Sequence, residues 1–159
     1  MLHRLVVGNE KGVAAVEFAI VGVVFLIPLV FGLIEFSFLV FNRQVLVNAG
    51  REGVRAGIIG YGPDRKTDLE IGQIVTDYCR DNSPTWILLT FDHQGDDPVT
   101  TVTPGARGCG SGVSRGDDLT VRVDYDYYFL LPALLGFGPT TTLSTSTTMK
   151  MESDDCPPP

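Results

Sequence analysis

One long apolar stretch decides the fold of this chain: residues 13–41, which read VAAVEFAIVGVVFLIPLVFGLIEFSFLVF. Glu17 and Glu35 are the only charged residues in it. The uncharged segment between them, residues 18–34, would form about 25 Å of helix at about 1.5 Å per residue. The stretch is therefore predicted to cross a lipid bilayer as a transmembrane helix.

The two glutamates indicate that this helix packs against other helices. They are 18 residues apart, which is about five turns of an α-helix, so both are expected on one face. A carboxylate near the bilayer centre costs roughly 2.5–3.5 kcal/mol, so each needs a partner that a lone helix lacks. We predict that Glu17 and Glu35 take part in subunit packing. The alternative is a plain single-pass anchor whose acids lie at the two water interfaces.

Composition excludes several classes of protein. At 159 residues, the chain has room for one modest domain beyond the apolar stretch. Its formal net charge is −7, and its longest run of basic residues is the pair at 65–66, so nucleic acid is not an expected partner. Cys79, Cys109 and Cys156 lack the paired spacing of zinc or redox sites, and no metal or cofactor is expected.

The cysteines instead fit a disulfide in an oxidising compartment, because all three follow the apolar stretch. We predict a bridge between Cys79 and Cys109, which would close a loop of thirty residues and contribute roughly 3–4 kcal/mol. Cys156 would then be free or joined to another chain.

The first twelve residues, MLHRLVVGNEKG, form a short leader that carries Arg4 and Lys11. Basic residues beside a first span favour the cytoplasm, so the rest of the chain is expected outside. An ordinary secretory signal has an apolar core of about 7–15 residues and a small-residue cleavage site. Here the core is about twice that length and no Ala-x-Ala follows it, so a conventional signal peptide is the weaker interpretation.

At the cytoplasmic end of the apolar stretch, residues 11–18 read KGVAAVEF. This segment resembles a class III signal of the type IV pilin kind, which a prepilin peptidase cuts after a glycine, with an acid five residues into the mature chain. The resemblance implies a processing site between Gly12 and Val13, with Glu17 as the acid. The new α-amino group would then be neutralised by Glu17 of a neighbouring subunit during helix packing.

Residues 12–57 more specifically resemble the TadE-like family of minor pilins, or pseudopilins, of tight-adherence (Flp) pilus systems. The residues that carry the resemblance are AAVEFA at 14–19, Pro28, FGLIEF at 31–36, NRQVLVNAGREGVRAG at 42–57 and, less specifically, LSTSTTMKME at 143–152. The chain departs from the family pattern at Val13 and at residues 50–55. The resemblance implies a part in pilus assembly, with the prepilin peptidase, other pilin subunits and the assembly platform as partners.

The sequence after the stalk predicts an α+β external domain. Thr67 and Glu70 form a capping box that starts a second, amphipathic helix ending near Asn82. A period of two, typical of strands, follows in residues 86–91, 99–102, 119–129 and 140–151. These elements are expected to form a small antiparallel sheet packed on both helices.

The expected organisation is a cytoplasmic leader at 1–12, a transmembrane helix at 13–41, a helical stalk at 42–62, the external domain at 63–152 and a disordered tail at 153–159. This corresponds to a single-pass protein of the inner (cytoplasmic) membrane with its C-terminal domain in the periplasm or outside the cell. The apolar connection at 130–138, LLPALLGFG, either folds back as core or touches the membrane surface or a partner. We favour the second interpretation.

The sequence contains no recognisable active site, and no enzyme is expected. His93 is the only histidine outside the leader, and no G-x-S-x-G or phosphate-loop motif occurs. Asp92, Asp96 and Asp97 lack the spacing of a calcium loop and are interpreted as a solvated acidic turn. The competing hypothesis is an uncut single-pass membrane protein whose external domain binds a ligand or senses the envelope.

Overall fold

The computed structural model describes residues 10–59, 64–82, 97–105, 113–130, 132, 136 and 138–152. A long helical rod comes first, made of α1 (Glu10–Val21), a π-helical turn (Gly22–Leu26) and α2 (Ile27–Ile58). It is followed by α3 (Asp68–Asp81) and the strands β1 (Val99–Thr103), β2 (Asp118–Tyr128) and β3 (Thr140–Lys150). The predicted α+β architecture is confirmed. The strand predicted at 86–91 lies outside the described residues.

The rod is interrupted by a π turn immediately before Pro28. The amide N–H of Ile27 donates to the carbonyl of Gly22, five residues earlier. Pro28 has no N–H and its ring crowds the carbonyl four residues before it, which favours a wider turn at this place. A π turn holds about one extra residue, so it rotates the helix beyond it by roughly 100°. Glu17 and Glu35 therefore point about a quarter of a turn apart, and the expectation of one shared face does not hold.

The start of α3 follows the predicted capping box. The Thr67 hydroxyl accepts a hydrogen bond from the Glu70 amide at 3.3 Å, and the Glu70 carboxylate accepts one from the Thr67 amide at 2.7 Å. Both groups thereby satisfy amides that the first turn of a helix leaves without partners. Beyond the cap, Ile71, Val75 and Cys79 are buried at four-residue spacing, so α3 presents one apolar face to the core.

The three strands form an antiparallel sheet in the order β1-β2-β3. Val121 in the central strand faces Val102 of β1 and Thr147 of β3. Alternation along β2 buries every second side chain, as predicted: Leu119, Val121, Val123, Tyr125 and Tyr127. The sheet packs against α2 through β2 and β3, and against α3 through β1. We call α3 and the three strands the head.

The head lies against the rod where α2 carries glycines. A Cβ atom on Gly53 would lie 2.6 Å from Val75 Cγ2 of α3, and one on Gly50 would lie 3.3 Å from Thr147 Oγ1 of β3. At Gly53 only a residue without a side chain allows this approach, whereas a side chain at Gly50 would require a small shift of Thr147. The run NAGREGVRAG thus serves packing within this chain. Glu52 and Arg55 form an ion pair on the exposed side of α2, with 3.8 Å between Arg55 Nη1 and Glu52 Oε2.

Candidate functional site

The first candidate site is the part of the rod from residue 12 to residue 34, which we call the lower rod. Its large apolar side chains are exposed on all sides, from 37% for Phe31 to 77% for Phe18. The part Gly12–Ile58 of the rod is the one helix in the described part of the chain that is long and apolar enough to cross a membrane. An apolar surface around the whole helix requires lipid or other apolar helices as its surroundings. The chain has the form of a single-pass membrane protein.

Gly12, Val13 and Glu17 lie in the first turns of this rod. Together with Val16 and Ile20 they line one shallow surface recess. Glu17 is exposed and forms no hydrogen bond or ion pair with any other residue that the structure describes. The structure therefore brings the predicted processing position and the predicted acid onto one face of α1. Processing at Gly12 and packing through Glu17 stay predictions.

Glu35 differs from Glu17 because it is only 4% exposed. The Tyr127 hydroxyl donates to Glu35 Oε1 at 2.6 Å, and the Leu130 amide donates to the two carboxylate oxygens at 3.2 and 3.1 Å. The end of β2 thus supplies the partner that we expected from a neighbouring helix. These contacts, which we call the Glu35 junction, fasten the head to the rod. Subunit packing through Glu35 stays a prediction, but its carboxylate already has three donor contacts within the chain.

The chemistry of the junction requires a neutral phenol. Burial, and then the hydrogen bond to Glu35, raise the pKa of Tyr127 above its ordinary value. The Tyr127 hydroxyl therefore stays protonated at neutral pH and donates a hydrogen bond to the carboxylate. Charge-assisted hydrogen bonds of this kind offset the loss of water around a buried carboxylate.

Sequence reasoning missed Tyr127 and Leu130 as partners of Glu35. Two signals for them were present, because a carboxylate in an apolar stretch requires a donor and the alternation in β2 puts Tyr127 on its core face. The missing information was which end of β2 adjoins the rod, since 92 residues separate Glu35 from Tyr127.

Cys79 of the predicted disulfide is buried, and its thiol forms no disulfide with any residue that the structure describes. Burial, followed by the charge of nearby Asp97, raises its pKa to about 12. The thiol is therefore protonated at neutral pH and is a poor nucleophile. Cys109 and Cys156 lie outside the described residues. The bridge between Cys79 and Cys109 stays a prediction, which peptide mapping under non-reducing conditions would test.

The described residues contain no group of three or more His, Cys, Asp or Glu that could hold a metal ion. Asp97, from the predicted acidic turn, accepts two hydrogen bonds from Arg80 at 2.9 Å and so has a structural role. Asp92, His93 and Asp96 lie outside the residues described. In the apolar connection 130–138, Leu130 is 44% exposed, but most of the segment is not described and its two interpretations remain open.

Comparison with known proteins gives one result. Residues 12–55 match the family model of the TadE-like proteins, which confirms the resemblance over these residues. The comparisons with curated proteins and with solved structures found no significant match. The matched segment begins at Gly12 and ends three residues before the end of α2. The match thus covers most of the rod and does not extend into the head.

Proposed function

We propose that this TadE-like chain is a minor pilin, or pseudopilin, that takes part in the assembly of a tight-adherence type IV pilus. A prepilin peptidase removes residues 1–12, and the mature chain packs with other pilin subunits through its lower rod. One observation carries the proposal: the family match begins at Gly12, the residue after which the cut is predicted, and extends along the exposed apolar rod.

The different environments of the two glutamates support separate roles. Glu35 is buried and already accepts hydrogen bonds from the head. Glu17 is exposed, four residues from Val13, and has no partner among the described residues. Glu17 is therefore the acid that meets the new α-amino group of a neighbouring subunit.

The remaining parts of the proposal concern location and partners. The leader carries Arg4 and Lys11, so the cut end faces the cytoplasm and the head lies on the other side of the inner membrane, in the periplasm or outside. Extraction of the subunit then depends on the pilus assembly platform. The protein has a structural role in this process and no enzymatic one.

Processing is tested by intact mass spectrometry of the chain purified from membranes of a host with an active prepilin peptidase. We expect the wild-type chain to begin at Val13. Gly12→Val should retain the leader, because the substitution adds a side chain at the position of the cut. Gly8→Val, also in the leader, is the matched control and should still be cut. A wild-type chain that keeps residues 1–12 would contradict the proposal.

Packing is tested by Glu17→Gln, which removes the charge and keeps the shape of the side chain. Membrane insertion should be normal, and pilus assembly should be lost. Glu52→Gln, on the exposed side of α2, is the control and should assemble. Full assembly by the Glu17 variant would favour an uncut single-pass protein whose external domain binds a ligand or senses the envelope.

A further inference from the structure

A furrow runs along the boundary between the rod and β3. Its lower part is a recess of about 550 Å³, lined by Gly32, Phe36, Leu39, Phe129, Gly138, Thr140 and Thr141. Its upper part is a recess of about 260 Å³, lined by Leu39, Arg43, Thr142, Leu143 and Ser144. Leu39 lines both parts, and Thr141 precedes Thr142, so the two recesses adjoin. We call them the rod–β3 furrow.

The rod contributes one straight wall to this furrow. Gly32, Phe36, Leu39 and Arg43 follow one another at spacings of four, three and four residues, which places them on one face of the helix. The eleven steps from Gly32 to Arg43 cover about 16 Å at about 1.5 Å per residue. The wall is apolar over its first three members and ends in a cation. A long apolar ligand with an anionic end fits this distribution.

The lower end of the furrow is continuous with the lipid-facing surface of the rod. Exposed large apolar side chains continue past the lower rod to Phe36, Val40 and Phe41. Glu35 does not interrupt that surface, because its carboxylate is buried under the head. If a hydrocarbon layer of about 30 Å begins just above Glu17, it ends near Ser37. Arg43 then lies about 9 Å higher, among the lipid headgroups.

Arg43 is exposed and forms no ion pair or hydrogen bond within the part of the chain that the structure describes. The nearby hydroxyls of Thr142 and Ser144 are already used, because they donate to Asp126 and Asp124. The Arg43 guanidinium is therefore the donor that remains at this end of the furrow. A guanidinium offers two parallel N–H groups, the geometry that a phosphate accepts.

From this geometry we propose that the rod–β3 furrow binds one anionic phospholipid of the membrane leaflet on the head side. One acyl chain lies along Gly32, Phe36 and Leu39, and the phosphate contacts Arg43. An anionic lipid is favoured over a zwitterionic one, since the latter places its own cation beside the arginine. The inference requires only that the rod spans a membrane, and it is independent of the role in pilus assembly.

The charge at the upper end is tested by native mass spectrometry of the full chain, extracted in mild detergent from vesicles of equal parts phosphatidylglycerol and phosphatidylcholine. We expect the wild-type chain to retain one phosphatidylglycerol. Arg43→Gln should lower the retained fraction about fivefold, the contribution of one basic residue at an anionic lipid surface. Arg51→Gln, an exposed arginine higher on the same helix, is the control and should retain the lipid as wild type does.

The apolar end is tested by Leu39→Trp, which fills the furrow, against Leu33→Trp on the exposed side of the rod. The first variant should lose the bound lipid, and the second should keep it. Leu39 also contacts the core, so circular dichroism must first show that the head of the Leu39 variant is folded. The test with the Arg43 variant does not depend on this condition.

Three results would overturn the inference. The first is a wild-type chain that retains no lipid or retains both lipids equally. The second is equal retention by the Arg43 and Arg51 variants. The third is a change in self-association of the furrow variants without a change in lipid, which would assign the furrow to a second copy of the chain.

Discussion

The lower rod and the upper rod, residues 35–58, belong to one helix but have opposite surroundings. In the lower rod the apolar side chains are exposed on every side. In the upper rod the apolar side chains that pack against the head are buried: Val45, Leu46, Ala49, Val54 and Ile58. Hydrophobicity around the whole helix therefore marks contact with lipid or other subunits, whereas hydrophobicity on one face marks a core. The same residue types have different meanings in the two halves.

The change between the two environments occurs at Glu35. A charged side chain at this height would be costly in lipid, and the head removes it from that environment by supplying a phenol and a backbone amide. The head therefore contacts the rod from Glu35 onwards, whereas the helical stalk was predicted to begin only at residue 42. Three substitutions test how separate the two halves are, from the largest expected effect to the smallest.

The largest effect is expected for Gly53→Leu in the upper rod. The Cβ atom of the new leucine would lie 2.6 Å from Val75 Cγ2, so α3 must move away from α2. We expect a loss of about 3 kcal/mol in the free energy of unfolding of the head. Thermal unfolding followed by circular dichroism in detergent measures it.

Gly22→Leu in the lower rod is the matched control, because a Cβ atom there meets nothing within 4 Å. It should leave the unfolding of the head unchanged. Equal destabilisation by the two variants would show that the halves of the rod are not energetically separate.

An intermediate effect is expected for Tyr127→Phe at the boundary between the halves. The substitution removes the 2.6 Å hydrogen bond to Glu35 and leaves the Leu130 amide as a donor. A hydrogen bond to a charged group contributes about 2 kcal/mol, so the free energy of unfolding should fall by about that amount. Glu17→Gln, which changes the other acid of the rod, should have no effect in the same measurement. An unchanged melting temperature for Tyr127→Phe would mean that the junction does not hold the head.

The smallest effect is expected at the exposed start of α3. The hydrogen bond from the Thr67 amide lowers the pKa of Glu70 below its ordinary value of 4.5. A carboxylate with a lowered pKa in the folded state stabilises the fold above its unfolded pKa, and that contribution is lost as the pH falls through the folded value. Glu70→Gln should therefore weaken the dependence of head stability on pH below about 4.5.

Melting temperatures measured between pH 3 and pH 6 would show this change. Gln73→Ala, on the same helix, changes no titratable group, so it is the control and should keep the wild-type pH dependence. A Glu70 variant with the acid sensitivity of the wild type would contradict the assigned role of the capping box.

Local patterns predicted the elements of the head well. The capping box at Thr67 and Glu70, the amphipathic face of α3 and the two-residue alternation of β2 and β3 all act within a few residues of chain. Such signals can be read from the sequence because the side chains concerned are neighbours in a helix or strand. The π turn before Pro28 had no comparable signal, since a proline in an apolar helix is compatible with an ordinary kink as well.

By itself the sequence determined a membrane-length apolar helix, a cap, a strand period and the glycine that precedes a predicted cut. The tertiary structure alone decided that Glu35 accepts a hydrogen bond from Tyr127, that Val75 packs closely against Gly53, and that Arg43 lies at the end of a furrow beside β3. The physical reason is distance along the chain. Helix and strand patterns depend on neighbours a few residues apart, whereas these contacts join segments whose approach depends on how the whole head packs against the rod.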